Sequence, residues 1–267
     1  MRKLVVTIAL VSTACGGTSP ESTSSAPAPP AEPPNILFML VDDMRWDEFG
    51  AAGHPFVETP NIDRLAREGA LFVNAFTTTP LCSPARASFL TGQYAHANGI
   101  IDNTERGPTS HSMRTFPRDL HDAGYETAFV GKWHMGRDDS QRPGFDYWVT
   151  MQGQGSLVDP EIIENDERAV VEGHVTEIFT ERAIGFLEKE REQPFLLYLA
   201  YKALHPGRGG LVAGGFTAPD RFENRYADAE IPRRENYAVA PTDKPALQRP
   251  FEYEAVPGAY DEASATA

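Results

Sequence analysis

The sequence predicts an α/β fold with a mainly parallel sheet flanked by helices, on three observations. Continuous apolar runs of strand length, NILFMLV, ETAFVG and PFLLYLAY, read as strands covered on both faces. They alternate with segments of helical pattern, NIDRLAREG, FPRDLHDAGY and the stretch 175–190, and that alternation is the mark of parallel β-α-β units. Three of the runs end on polar residues, at Asp42-Asp43, at Lys132 and His134, and at Lys202 and His205. In parallel sheets ligands bind beyond the carboxyl ends of the strands, so these residues mark the predicted site.

Taken in order, residues 1–15 form a secretory signal: Arg2 and Lys3, an apolar run, then small residues up to Cys15. The run is well short of the ~20 residues that span a bilayer. Ser-Thr-Ala-Cys before two glycines resembles a bacterial lipoprotein cleavage site with Cys15 as the lipidated residue, although Ser12 stands where Leu is usual; a plain cleaved signal is the alternative. The expected location is therefore the bacterial periplasm or cell surface, with membrane contact only through a lipid on Cys15. Residues 16–34 are a Pro/Ser/Ala-rich tether.

The folded part is expected over 35–206. NILFMLV is read as a central strand. Thr59-Pro60 starts a helix that presents Ile62, Leu65 and Ala66 on one side and stops at Gly69. ALFVNAF (70–76) is read as a strand and CSPARASFLTG as a helix ending at Thr91-Gly92; FPRDLHDAGY is a helix closed by Gly124. Within 175–190, Val175, Ile178, Phe179, Ile184, Phe186 and Leu187 mark the apolar face. From 207 to 267 the pattern thins into prolines and charges, an irregular and incomplete C-terminal part.

The formal net charge of -14 argues against nucleic acid as a partner, which requires clustered Lys and Arg. Of the two cysteines, Cys15 is committed if lipidated, which leaves Cys82 without a disulfide partner. Cys82 is flanked by turn formers, with Pro84 suited to a first helical turn and Arg86 one turn on. A cysteine at a helix mouth sits where backbone N–H groups favour an anion, and Arg86 shares its face. Asp42 and Asp43, adjacent at a strand end, repel each other unless a cation lies between them, and their oxygens suit calcium or magnesium. Lys132 and His134 alternate along an extended segment, which would point both into one cleft with Trp133 turned away.

CSPARASFLTG, with its Cys-x-Pro-x-Arg core, resembles the signature of the type I sulfatases of the alkaline-phosphatase-like superfamily. GYETAFVGKWHMG resembles their second signature, NILFMLVDDMR their metal-binding strand end, and FLLYLAYKALHPG their later strand and histidine. The resemblance implies an alkaline-phosphatase/sulfatase-like fold and hydrolysis of sulfate esters, on a sulfated sugar or glycan. It implies that Cys82 is oxidised to formylglycine by a formylglycine-generating enzyme, and that its hydrate attacks sulfur. Asp42, Asp43 and position 82 would then ligate Ca2+, with Mg2+ as the alternative. Arg86 would stabilise the oxyanion, Lys132 hold a sulfate oxygen, His134 help discharge the intermediate, and His205 hold sulfate or protonate the leaving oxygen. Tyr94, His96 and Asn98 would be rim residues.

The family's later Ser-Asp-Asn-Gly segment, which completes the metal site, has no counterpart after His205, and Asp228 and Asp243 lie in unpatterned surroundings. The sequence therefore reads as the N-terminal portion of a family member, C-terminally truncated. Too few protein oxygens remain for calcium's ~6 to 8, and an apolar sheet edge is expected to invite association. Two other readings stand beside the sulfatase: a phosphoester or phosphonate hydrolase of the same superfamily, and a noncatalytic surface lipoprotein that holds sulfated glycan.

Overall fold

The structure, a computed structural model, describes residues 32–104, 107–207 and 215–233. The chain divides into two units, Met1–Pro33 and Pro34–Ala267. The signal and nearly all of the tether lie outside the described residues, as do 234–267. The sheet, its helices and the polar strand ends all belong to the second unit.

Six strands form one sheet: β1 (Ile36–Leu40), β2 (Glu126–Gly131), β3 (Tyr147–Thr150), β4 (Glu161–Glu164), β5 (Glu167–Val170) and β6 (Phe195–Ala200), in the order β1-β6-β2-β3-β4-β5. β1, β6, β2 and β3 run parallel; β4 and β5 add an antiparallel margin. Apolar side chains on both faces of β2 and β6 explain their central place, because such strands lose hydration on each side when covered.

Alternation along the strands supplies two cores. Ala128, Val130, Val149, Leu197 and Leu199 face α6 (Val175–Leu187), which buries Val175, Ile178, Phe179, Ala183 and Phe186. Phe129, Trp148, Tyr198 and Ala200 form the other core, with Ala87 and Leu90 of α2 (Cys82–Thr91) and with Phe116 of α5 (Phe116–Asp122). Phe129 and Trp148 stack with centroids 4.7 Å apart. Arg142 is fully buried beside Trp133 and Trp148, its guanidinium carbon 5.6 Å and 6.0 Å from their rings, and its Nε donates to Ser110 Oγ at 2.9 Å. That contact fastens the charged loop following His134 to α4 (Gly107–Ser112).

The mainly parallel sheet, α1 (Pro60–Glu68), α2, α5 and α6 follow the sequence reading. Four expectations are corrected. β1 is not central: among the described residues it is one of the two outer strands, and Leu37 and Met39 on one of its faces are exposed. Residues 70–76 form no strand but coil and turn, and Phe72, Val73 and Phe76 face solvent. α1 buries none of its apolar side. In α6, Ile184 and Leu187 are exposed while Ala183 is buried, which turns the packed face toward β2 and β6. β3, β4 and β5 escaped the sequence reading because each is only 4 residues long. A two-residue turn with Asn165 at φ 43° joins β4 to β5, and Asn tolerates that left-handed backbone. Past His205 the described stretch 215–233 carries a single 3-10 turn, Asp220–Phe222.

Candidate active site

Because β1, β6 and β2 are parallel, they release their chains at the same edge of the sheet, and Asp42, Lys202 and Lys132 follow directly. Gly131 makes this approach possible. It has φ 134°, and a Cβ there would lie 1.9 Å from the Ala200 carbonyl oxygen, so only glycine lets β2 and β6 run this close at their ends. The Lys132 amide then donates to Ala200 O at 2.8 Å.

α2 begins at Cys82 after an extended Leu81, and Gly92 at φ 67° closes it, its N–H on Ser88 O. The first turn is pinned twice: the Ser83 amide donates to Asn103 Oδ1 at 2.9 Å, and Ser83 Oγ donates to the His134 carbonyl. Cys82 is a half-buried free thiol at this mouth. One turn on, buried Arg86 donates from Nη1 to the Lys132 carbonyl and places Nη2 3.3 Å from Asp42 Oδ1. That ion pair lacks hydrogen-bond alignment. Arg86 Nε and Nη2 consequently have no hydrogen-bond partner among the described residues, although both are buried. Buried donors left unmade cost about 1–3 kcal/mol each, which is the state of a site built to receive an oxyanion.

Lys132 is fully buried and its Nζ contacts Asp42 Oδ2. Burial alone would raise the Asp42 pKa, but Arg86 and Lys132 outweigh it and hold the carboxyl below 3.8. Lys132 is itself lowered, by burial. Asp43, exposed and at φ 57°, turns back beside its neighbour. One potential ligand atom from each of Asp42, Asp43 and Cys82 lies within 4.8 Å of the others. Two adjacent carboxylates and position 82 fit one side of the shell of a hard divalent cation. The remaining oxygens would have to come from elsewhere, since calcium takes ~6 to 8.

His205 Nδ1 is 2.9 Å from the Pro206 carbonyl, which only accepts, so Nδ1 carries the proton and Nε2 is bare in the neutral ring. Lys202 Nζ donates to the same carbonyl at 3.0 Å and stands 3.4 Å from Nδ1. Burial, then Lys132 and Lys202, holds His205 below 6.5. Lys202 is pulled down to about 8, chiefly by burial. His134 is lowered to about 3 by burial and by Lys132 and Arg86, so it is neutral at pH 7, and its buried Nδ1 has no partner among the described residues.

A cleft of about 600 Å³ is lined by Asp42, Asp43, Cys82, Arg86, Gln154 and His205. A second cavity of about 580 Å³ shares Asn103 and Gln154 with it and is lined by His134 and Arg137. Lys132 lies beneath the cleft, with its ammonium directed at Asp42. The segment from Lys132 to His134 is not extended strand: β2 ends at Gly131 and His134 adopts φ 55°, which turns it into the second cavity while Trp133 enters the core. The expected rim residues do not line the main cleft. Tyr94 and His96 stack on each other 5.8 Å apart, and Asn98 is a buried turn residue that donates to Gln93 O and accepts from the Ile100 amide. Sequence reasoning missed Ser83, Asn103 and Gln154; the glycines around Gln154, in MQGQGS, were its only local signal.

Compared with known proteins, residues 34–265 match the family model described as sulfatase. The chain belongs to the sulfatase family. This sulfatase chain is 39% identical over 176 residues to N-acetylglucosamine-6-O-sulfatase of Bacteroides thetaiotaomicron, covering 64% of the chain and 31% of that protein. It is 34% identical over 233 residues to N-acetylgalactosamine-6-sulfatase of Mus musculus, covering 74% of the chain and 44% of that protein. The solved structure of BT4656 in complex with its substrate D-glucosamine-2-N,6-O-disulfate superposes with a TM-score of 0.67 at 35% identity, over 76% of this chain and 39% of that one. The chain thus spans less than half the length of these sulfatases.

Proposed function

We propose that the protein hydrolyses sulfate monoesters of a sugar or glycan, with Cys82 converted to formylglycine by a formylglycine-generating enzyme as the chain is exported, and with Cys15 carrying a lipid anchor. The carrying observation is the position of Cys82: at the mouth of a helix, facing a cleft with Arg86 donors unspent and two carboxylates within 4.8 Å of its sulfur. The sulfated-sugar substrate is supported by the names of the relatives and by the glucosamine disulfate bound to BT4656.

Formylglycine would supply an aldehyde hydrate, one hydroxyl serving as the nucleophile that displaces the sugar oxygen from sulfur and the other, on losing its proton, letting sulfate leave as the aldehyde is restored. Asp42, Asp43 and position 82 would hold Ca2+, or Mg2+, which supplies positive charge to the sulfate and to the attacking oxygen. The remaining work falls to other side chains. Arg86 Nε and Nη2 donate to the attacking oxygen, in a buried setting where such bonds are strong. Lys132 keeps Asp42 ionised and fixed, and adds charge below the sulfate. His134, neutral above about 3, can take the proton whose loss expels sulfate. His205 protonates the leaving oxygen in its charged form. Because its folded pKa lies below 6.5, turnover is expected to rise as pH falls toward that value, which a kcat–pH profile checks.

The test is release of inorganic sulfate from N-acetylglucosamine-6-sulfate and from an aryl sulfate by the chain co-expressed with a formylglycine-generating enzyme. Hydrazide labelling and mass spectrometry of the Cys82 peptide report the aldehyde. The expected result is labelled protein that releases sulfate, with a loss of roughly a thousandfold or more in Cys82→Ala. Phosphate esters cleaved in preference to sulfates would overturn the proposal in favour of the phosphoester reading. A labelled chain that binds sulfated sugar without turnover would overturn it in favour of glycan binding.

A further inference from the structure

The second cavity, beside the catalytic cleft, has no part in the chemistry above except through His134. Its shared wall is Gln154, the side chain between Gly153 and Gly155 just after β3. Both glycines have positive φ, 57° and 62°, and a Cβ at Gly155 would lie 2.0 Å from the sulfur of buried Met151. The turn is therefore closed down on the core, and Gln154 is held out from it. Gln152 Nε2 donates to the Arg137 carbonyl at 3.2 Å and ties the turn to the opposite side of the cavity. Gln154 Oε1 is buried yet has no hydrogen-bond partner among the described residues. A buried amide oxygen in that state is destabilising until a donor reaches it. Across the shared wall, Asn103 spends its Oδ1 on the Ser83 amide and so turns its other amide edge elsewhere.

We propose that Gln154 determines specificity for the sugar: its Oε1 accepts a hydrogen bond from a hydroxyl or amide N–H of the sugar that carries the sulfate, with that sugar seated in the 580 Å³ cavity and the sulfate at Cys82. The inference rests on the sulfate-ester reading. A sugar ring, with hydroxyls set around apolar C–H faces, suits a cavity in which Gln154, Asn103, Thr104 and Arg137 offer polar groups within a largely apolar wall. Losing the partner of a buried acceptor is what lets such a site reject ligands without the donor.

Binding to the full chain in calcium-containing buffer, followed by calorimetry or ligand-observed NMR, tests this with three probes. These are inorganic sulfate, N-acetylglucosamine-6-sulfate, and cyclohexylmethyl sulfate, which has a similar shape but no hydroxyl or amide. Gln154→Leu should weaken the sugar sulfate by about 5- to 30-fold and leave the other two within about twofold, so that it no longer prefers the sugar to the cyclohexyl compound. Unchanged sugar affinity in Gln154→Leu would overturn the proposal, as would an equal loss for all three probes, which would mark a structural role. A wild-type chain that binds none of the probes would instead overturn the sulfate-ester reading itself.

Discussion

The middle strands of the sheet and its β1 margin differ in how they treat apolar side chains. Around β2, β3 and β6 the aromatic and aliphatic residues are sealed: Trp148 and Phe129 stack in one core, and α6 covers the opposite face. Around β1, α1 and the segment 70–76, the same kinds of residue stand in water, with Phe72 81% and Phe76 87% exposed. The site draws on both regions, since Asp42 and Asp43 leave β1 while Lys132, His134 and Gln154 come from the sealed middle. Rigidity at the site should therefore come from one region only. Beyond the β1–β6 ladder, the Asp42–Lys132–Arg86 contacts are the side-chain link by which the sealed side holds the open one.

The largest expected effect is at Gly131. Alanine there would add a Cβ 1.9 Å from Ala200 O at a backbone angle hostile to L-residues, forcing β2 and β6 apart where Lys132 and Lys202 emerge. Gly131→Ala should lose roughly 4 kcal/mol or more, read by urea denaturation. Next comes a matched pair across the two regions: Trp148→Ala should cost about 3–5 kcal/mol, and Phe72→Ala no more than about 0.5 kcal/mol. Equal costs would mean that the segment 70–76 is packed in solution, and the contrast between the regions would fall.

A smaller effect is carried by pH. Lys202 titrates at about 8 when folded and near 10.5 when unfolded, so between those values the unfolded chain binds the extra proton. Stability contributed at this position is accordingly lowest below about 8 and rises up to about 10.5, by something on the order of 2 kcal/mol. Lys202→Met should flatten that rise in denaturation midpoints measured across the interval. His134, lowered to about 3, has the same sign at acid pH: stability falls as pH drops from 6.5 through its folded value.

The sealed region was the legible one in sequence. β2 and β6 announce themselves as continuous apolar runs and α6 by its apolar face, each long enough to read, and the polar residues beyond the strands then locate the cleft. The strand ends pointed to Asp42, Asp43 and His205, whereas Cys82 and Arg86 were singled out by the helix-mouth pattern and the Cys-x-Pro-x-Arg resemblance. Hidden from the sequence was whatever depends on short strands or single backbone angles. β4 and β5 are too short to show a period, and His134 reaches its cavity through a left-handed residue that alternation along a strand does not describe. Gln154 is polar, sits in a turn, and acquires meaning only when its oxygen is seen to be buried without a donor. The apolar run 70–76 misled for the opposite reason: its composition satisfies a strand, but a strand also needs a ladder partner, and among the described residues the run pairs with none.

The smallest effect on stability is expected where the surface is most apolar. Replacing Phe72 and Phe76 by serine removes no packing contact of weight, so the unfolding free energy should change by less than about 0.5 kcal/mol. Association should respond differently. β1, which among the described residues is an outer strand with Leu37 and Met39 exposed on one face, offers apolar area and unpaired backbone together, and Phe72, Val73 and Phe76 add further exposed apolar area, the combination that favours self-pairing of two copies. Sedimentation velocity over a concentration series should show the wild-type chain shifting to larger species and the double serine variant shifting less. A variant that associates as strongly as wild type would locate the contact elsewhere, and a wild type that stays monomeric throughout would mean that the exposed margin is silent between copies. In either case the unfolding free energy remains the control: only association that changes at constant stability assigns these side chains to the outside of the fold.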